Sequence, residues 1–161
     1  MMHTPARSGS NSGSFAKAAA EELVTMQSFV ALLEQERGLL GSGKADALPA
    51  LAAEKLSLME VLSRCAEQRA SLLGVAGMQI NAPGVQQLLG SDPDAREIWN
   101  NLLEVARRAA ELNACNGYLV HQQLAHVDRA MDALSGPRTA LYSTSGVTGF
   151  RSGTSRSLAR G

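Results

Sequence analysis

Aromatic residues are scarce, with one Trp, two Tyr and three Phe in 161 positions, while Ala, Leu, Glu, Gln and Arg fill the centre of the chain. That vocabulary favours helices. Net charge is lacking as well, fifteen basic residues balancing fifteen acidic ones, so nothing draws the whole molecule toward nucleic acid. No run approaches the roughly eighteen apolar residues of a membrane span. Residues 1–14 are rich in Ser and Gly and hold no apolar segment of the kind a signal peptide needs. The two cysteines, Cys65 and Cys115, fall within helical patterns. Without a secretion signal they are expected as free thiols in a reducing cytoplasm. Glycine-rich phosphate loops, nucleophile elbows and EF-hand spacings are missing. Cys115, His121 and His126 stand six and five residues apart, which on a helix turns successive side chains by roughly 240° and 140°. No metal site is expected from them, no cofactor is implied, and the chain does not read as an enzyme.

What charge there is has a pattern. All fifteen acidic residues lie between positions 21 and 137, together with nine of the basic ones; Arg7 and Lys17 precede them, and Arg138, Arg151, Arg156 and Arg160 follow. An acidic helical body with basic ends suits protein binding better than nucleic-acid binding, and the four spread arginines read as a solvated tail.

Three long helices follow from apolar periodicity. The first runs from about Phe15 to Leu40, with Leu23, Met26, Val30, Leu33 and Leu40 on its seam and Arg37 intruding. Gly41-Ser42-Gly43 ends it and turns the chain. The second spans about residues 44–73 with Asp46 as a candidate cap and Pro49 in its first turn. Its seam reads Leu48, Leu51, Lys55, Leu58, Leu62, Cys65, Arg69, Leu72. So short a linker between long helices predicts an antiparallel hairpin. Residues 74–91 form a longer connection in which Val85–Leu89 has room for one or two helical turns. Ser91-Asp92-Pro93-Asp94 is a strong start signal for the third helix, and Ser135-Gly136-Pro137 stops it. The expectation is an all-α domain over residues 15–135, a hairpin plus a long third helix in a coiled-coil-like bundle, with a disordered N-terminus at 1–14 and a flexible tail at 136–161.

The third helix, about 43 residues and roughly 65 Å long, outreaches the second. Packed back along it, its last dozen residues overhang. Trp99, Leu103, Ala106, Ala110, Val120, Leu124, Val127, Met131 and Leu134 share a seam spaced alternately three and four apart; Ile98, Leu102, Val105, Ala109, Leu112 and Leu119 form another beside it. Asn113 and Gly117 fall on the first seam, where an amide and a helix-weakening glycine cost stability. A buried Asn there, Asn113 or Asn116, is a register-fixing device. The unpaired apolar end calls for a cover, either a partner or a second copy of the chain.

Three segments resemble the FlgN-type flagellar export chaperones. Glu54-Lys55-Leu56-Ser57-Leu58 followed by Glu67-Gln68-Arg69 is similar to that family's pattern in the second helix. Glu111-Leu112-Asn113-Ala114-Cys115-Asn116-Gly117 with Leu119 resembles its signature in the third. Leu141-Tyr142 with Gly146 resembles its tail motif, Ser143 standing where glycine is usual. The resemblance covers about residues 15–146. It implies a cytoplasmic chaperone without ATPase activity that binds the hook–filament junction proteins FlgK and FlgL through their C-terminal helices and hands them to the export gate, FlhA. On that reading Leu119, Val120, Leu124, Val127, Met131 and Leu134 are the cargo contacts, Asn113, Asn116 and Gly117 mark the junction between the packed and cargo-binding halves of the helix, and Tyr142 is the gate contact. A structural coiled coil that homodimerises through the same seam is the alternative.

Overall fold

The computed structural model describes residues 6–135, and every element among them is helical. Helix α1 spans Ala6–Ser42, α2 Leu48–Val75, α3 Ala82–Leu89 and α4 Pro93–Ser135, with a 3-10 turn at Ala45–Ala47 before α2.

The first helix starts earlier than its periodicity predicts. Residues 6–14, expected to be disordered, are helical despite Gly9 and Gly13. Tertiary burial overrides weak propensity here: Ser12 and Phe15 are both buried, and the Ser14 hydroxyl donates back to the Ser10 carbonyl at 3.0 Å. The remaining N-terminal positions and the whole expected tail, Tyr142 included, lie outside the described residues.

Each helix boundary has a local cause. Gly43, at φ +69°, takes the left-handed conformation after α1, and Lys44 N–H reaches back to Leu39 O at 3.2 Å, the six-to-one bond of a Schellman motif. Asp46 does not cap α2. It sits inside the 3-10 turn, the capping position falls to Ala47, and Pro49 occupies the first turn as expected. Asn81 caps α3 by accepting from Gly84 N–H at 2.9 Å. A Cβ at Gly84 would run into the backbone of Gln79, so glycine is required at that approach. Asp92 caps α4, its Oδ1 accepting from the N–H groups of Asp94 and Ala95 at 3.1 Å.

The chain divides into two units, residues up to Gln123 and residues from Leu124 onward. In the first, α1 is flanked by the other two long helices. Against α2 it runs antiparallel, with Glu22 meeting Arg69 and Glu36 meeting Lys55, pairs that stand two heptads apart on both helices. Against α4 it runs parallel: Phe15 meets Trp99, Leu33 meets Asn116 and Leu40 meets Gln123. The antiparallel α2 has already brought the chain back to the end where α1 starts, and α3 links it there to the beginning of α4. The larger core cluster lies at that end, where Phe15, Ala19, Leu73, Val85, Leu88, Leu89, Ala95, Trp99 and Leu102 pack together. A second cluster joins Phe29 and Leu33 to Ala109 and Leu112, with Leu58 and Leu62 of α2 against it. The described part of the second unit is the end of α4, residues 124–135.

These clusters decide which stripe of α4 is core. Ala95, Trp99, Leu102, Ala109, Leu112 and Asn116 are buried, whereas Leu103, Ala110, Asn113 and Gly117 are exposed. The seam expected to carry the core is therefore the outer one beyond Trp99. Phe29 and Leu33 select its neighbour, which also fits a 3.6-residue period.

Candidate functional site

Two kinds of feature stand out on this frame: polar side chains that tie the long helices together, and an apolar stripe along α4 left uncovered.

Glu22 is 4 % exposed, an acid buried in a helical core. Burial of a carboxylate is tolerated only with a partner, and Arg69 supplies it, its guanidinium donating to both carboxylate oxygens, the Nη2–Oε1 bond at 3.1 Å. The same guanidinium lies 5.2 Å from the centroid of Trp99, within cation–π range. Trp99 in turn stacks at a tilt on Phe15, ring centroids 5.6 Å apart. Arg69 thus joins α1, α2 and α4 at one level of the bundle.

Two heptads along, Glu36 does the same from α1. Its carboxylate accepts from Lys55 Nζ at 3.0 and 3.2 Å and from Asn116 Nδ2 at 2.8 Å. Asn116 is 1 % exposed and its Nδ2 also donates to Leu33 O at 2.8 Å. Both partners are acceptors, which settles the orientation of the amide. Its Oδ1 is left buried without a partner. Further along, Gln123 Nε2 donates to Leu40 O at 2.6 Å. On the surface, Arg108 pairs with Glu34.

Of Asn113, Asn116 and Gly117, only Asn116 is buried, hydrogen-bonded across to α1. Asn113 is exposed and stands in the wall of an open cavity of about 380 Å³ shared with Met26, Phe29, Met59, Leu62, Ala106 and Ala110. Gly117 is exposed, and a Cβ there would meet nothing within 4 Å. No described part of this chain stands close to Gly117 on the side where a Cβ would project.

Of the six proposed contacts, Leu119 is half-buried, while Val120, Leu124, Val127, Met131 and Leu134 are exposed. Leu124 keeps 59 % of its surface and Leu134 85 %, values far from those of a core residue. Tyr118 is exposed nearby in sequence. Lys55 and Arg69 stand as polar intrusions on an apolar seam; of their partners, Glu36 reads from the sequence as a solvent-facing helix charge and is instead half-buried, and for Glu22 the one sequence signal is the matching two-heptad spacing on both helices.

Neither cysteine is bonded, and both are half-buried. Burial, with Glu22 and Glu21 nearby, pushes the Cys65 thiol above its ordinary value, Arg69 and Arg64 opposing the shift. Among the described residues no three His, Cys, Asp or Glu side chains are placed to hold a metal, and no helix is long and apolar enough to cross a membrane.

The FlgN protein family matches residues 12–149, most of the chain. A crystal structure from Pseudomonas aeruginosa, of a protein assigned as flagella synthesis protein FlgN, superposes with a TM-score of 0.60 at 23 % identity, covering 76 % of this chain and 92 % of the other; at that identity the likeness speaks to the fold. No curated protein matches.

Proposed function

Because this chain belongs to the FlgN family, we propose that it is a cytoplasmic flagellar export chaperone whose cargo is the pair of hook–filament junction proteins, FlgK and FlgL. The cargo's C-terminal helical segment lies along the stripe formed by Leu119, Val120, Leu124, Val127, Met131 and Leu134, and Tyr142 serves as the contact for the export gate, FlhA. One observation carries the assignment of the surface: a 43-residue helix keeps Val120, Leu124, Val127, Met131 and Leu134 exposed at helical spacing.

The recognition is physical rather than chemical. An amphipathic cargo helix inserts its apolar face against the stripe, reading positions at i, i+3 or i+4 and i+7. Covering that face keeps the cargo from assembling early. Ordering the cargo segment on binding consumes part of the interaction energy, so the complex is held without being locked. No step needs a nucleophile, a metal or ATP.

Size-exclusion chromatography with light scattering, run with and without a peptide of the cargo C-terminus, tests the reading. The expected result is a chain that takes up the peptide as a defined complex. A stable dimer that ignores the peptide overturns it in favour of a structural coiled coil.

A further inference from the structure

The side of α4 that faces α1 changes character at Asn116. Up to that point the contact is apolar and buried, through Trp99, Leu102, Ala109 and Leu112. Beyond it, Leu119 is only half-buried, and the ties are amide hydrogen bonds. Asn116 donates to Leu33 O and Gln123 donates to Leu40 O, one heptad apart on both parallel helices. The second bond has a particular target. Leu40 lies in the last turn of α1, whose final carbonyls lack a partner within the helix, so Gln123 serves as a C-terminal cap supplied from another helix.

These two kinds of contact respond differently to water. Apolar burial is lost when a segment separates, whereas amide donors and carbonyl acceptors exchange one hydrogen-bond partner for another at small net cost. Asn116 carries an added bias, because its buried Oδ1 has no partner while the segment is closed and gains one on hydration. Gly117, next in sequence, meets no neighbouring atom through its missing Cβ.

We propose that Asn116 and Gln123 form a releasable latch: residues 116–123 of α4 separate from residues 33–40 of α1 as a local unit, while Ala95–Leu112 stays packed. Opening hydrates the orphan Asn116 oxygen and leaves Glu36 with its Lys55 partner, so the α1–α2 hairpin is undisturbed. It frees Leu119 to join Val120 on an accessible helix. The latch belongs to the chain alone and does not depend on what binds it.

Hydrogen exchange on the full chain without a partner tests this. Amides of residues 117–123 should exchange at least about tenfold faster than those of residues 99–112, because the separated segment, a helix without tertiary support, frays and breaks its own backbone hydrogen bonds. Asn116→Leu removes the orphan oxygen at similar volume and should slow exchange at 117–123 by about tenfold, with 99–112 unchanged. Gln123→Ala should speed exchange at 117–123 alone. One common rate for the two segments in the unaltered chain overturns the latch. So does a loss of protection along the whole of α4 in Asn116→Leu or Gln123→Ala, which would make the amides ties of the entire bundle. Should Asn116→Leu fail to fold, the wild-type contrast and Gln123→Ala decide.

Discussion

Glu36 of α1 accepts hydrogen bonds from Lys55 of α2 and from Asn116 of α4 at 3.0 and 2.8 Å. One half-buried carboxylate therefore holds three helices in register, and removing it strands two donors at once. Glu36→Ala is expected to cost about 1–3 kcal/mol, chiefly because the buried Asn116 amide, left with Leu33 O alone, loses one of its two acceptors. Thermal unfolding followed by circular dichroism should show a fall of several degrees. Glu34→Ala, two residues away on the surface, removes only the exposed pair with Arg108 and should change the midpoint little.

Arg69→Lys keeps the charge but loses the forked geometry that serves both oxygens of Glu22 and the stacking over Trp99. A lysine point charge cannot do both, so destabilisation of about 1–3 kcal/mol is expected. Trp99 is the one tryptophan of the chain, which makes its fluorescence a direct report on this level of the bundle. An unchanged emission maximum in Arg69→Lys would show that the guanidinium does not define the environment of the ring.

Two glycines should respond in opposite directions to the same added methyl group. Gly84→Ala drives a Cβ into the Gln79 backbone, which cannot yield without unseating Asn81 from the cap of α3. A cost above about 2 kcal/mol is expected. Gly117→Ala meets open space on an exposed helical face and should stabilise by roughly 0.5–1 kcal/mol. Urea midpoints of the two variants, moving apart on either side of the wild type, check this; a Gly117→Ala variant that loses stability would mean that a backbone does approach there.

Much of this fold was legible in the residues. Ser91-Asp92-Pro93 announced the start of α4, Gly43 the end of α1, and the half-buried seam of α2 was read residue by residue, with Lys55 and Arg69 as its polar members. Two things were not. The start of α1 was hidden because Ser and Gly argue against helix locally, and what overturns that argument is the burial of Phe15 in a cluster with Leu73, Leu89 and Trp99. The buried stripe of α4 was hidden because two adjoining stripes, Leu103-Ala106-Ala110 and Leu102-Ala109-Leu112, both satisfy helical periodicity. The choice between them rests with Phe29 and Leu33, some eighty residues earlier. Hence the sequence leaves Asn113 and Asn116 as equal candidates for the buried amide, and the packing selects Asn116.

The Cys65 thiol is held above its ordinary value, first by burial and then by Glu22 and Glu21. Its thiolate fraction at pH 8 is therefore smaller than that of an unfolded thiol, and alkylation of the folded chain at Cys65 should be slower than after denaturation by more than exposure alone explains. The sign for stability follows. A folded-state value raised above the unfolded one contributes fully below the unfolded value and is lost as pH rises through the folded one, so this contribution fades in the window above about pH 9. Cys65→Ser should flatten the stability profile in that window; an unaltered slope would assign the alkaline loss to other groups.

The exposed stripe separates binding from folding. Leu124 and Met131 are each about half exposed or more, so replacing both with Glu removes no core contact and should leave the unfolding free energy within about 0.5 kcal/mol of wild type. If a cargo helix covers these positions, the same change places two charges into an apolar interface that each side chain would otherwise support by about 1.5–3 kcal/mol. Titration of a cargo C-terminal peptide should then show affinity reduced by at least about tenfold, since that factor needs only about 1.4 kcal/mol. Leu33→Ala provides the opposite control. It empties a fully buried position between Phe29 and Leu112 at an expected cost of about 2–5 kcal/mol in stability, without touching the stripe. Binding that survives Leu124→Glu with Met131→Glu undiminished would move the cargo to another face of the molecule, with the open cavity walled by Met59, Ala106 and Asn113 as the next place to look.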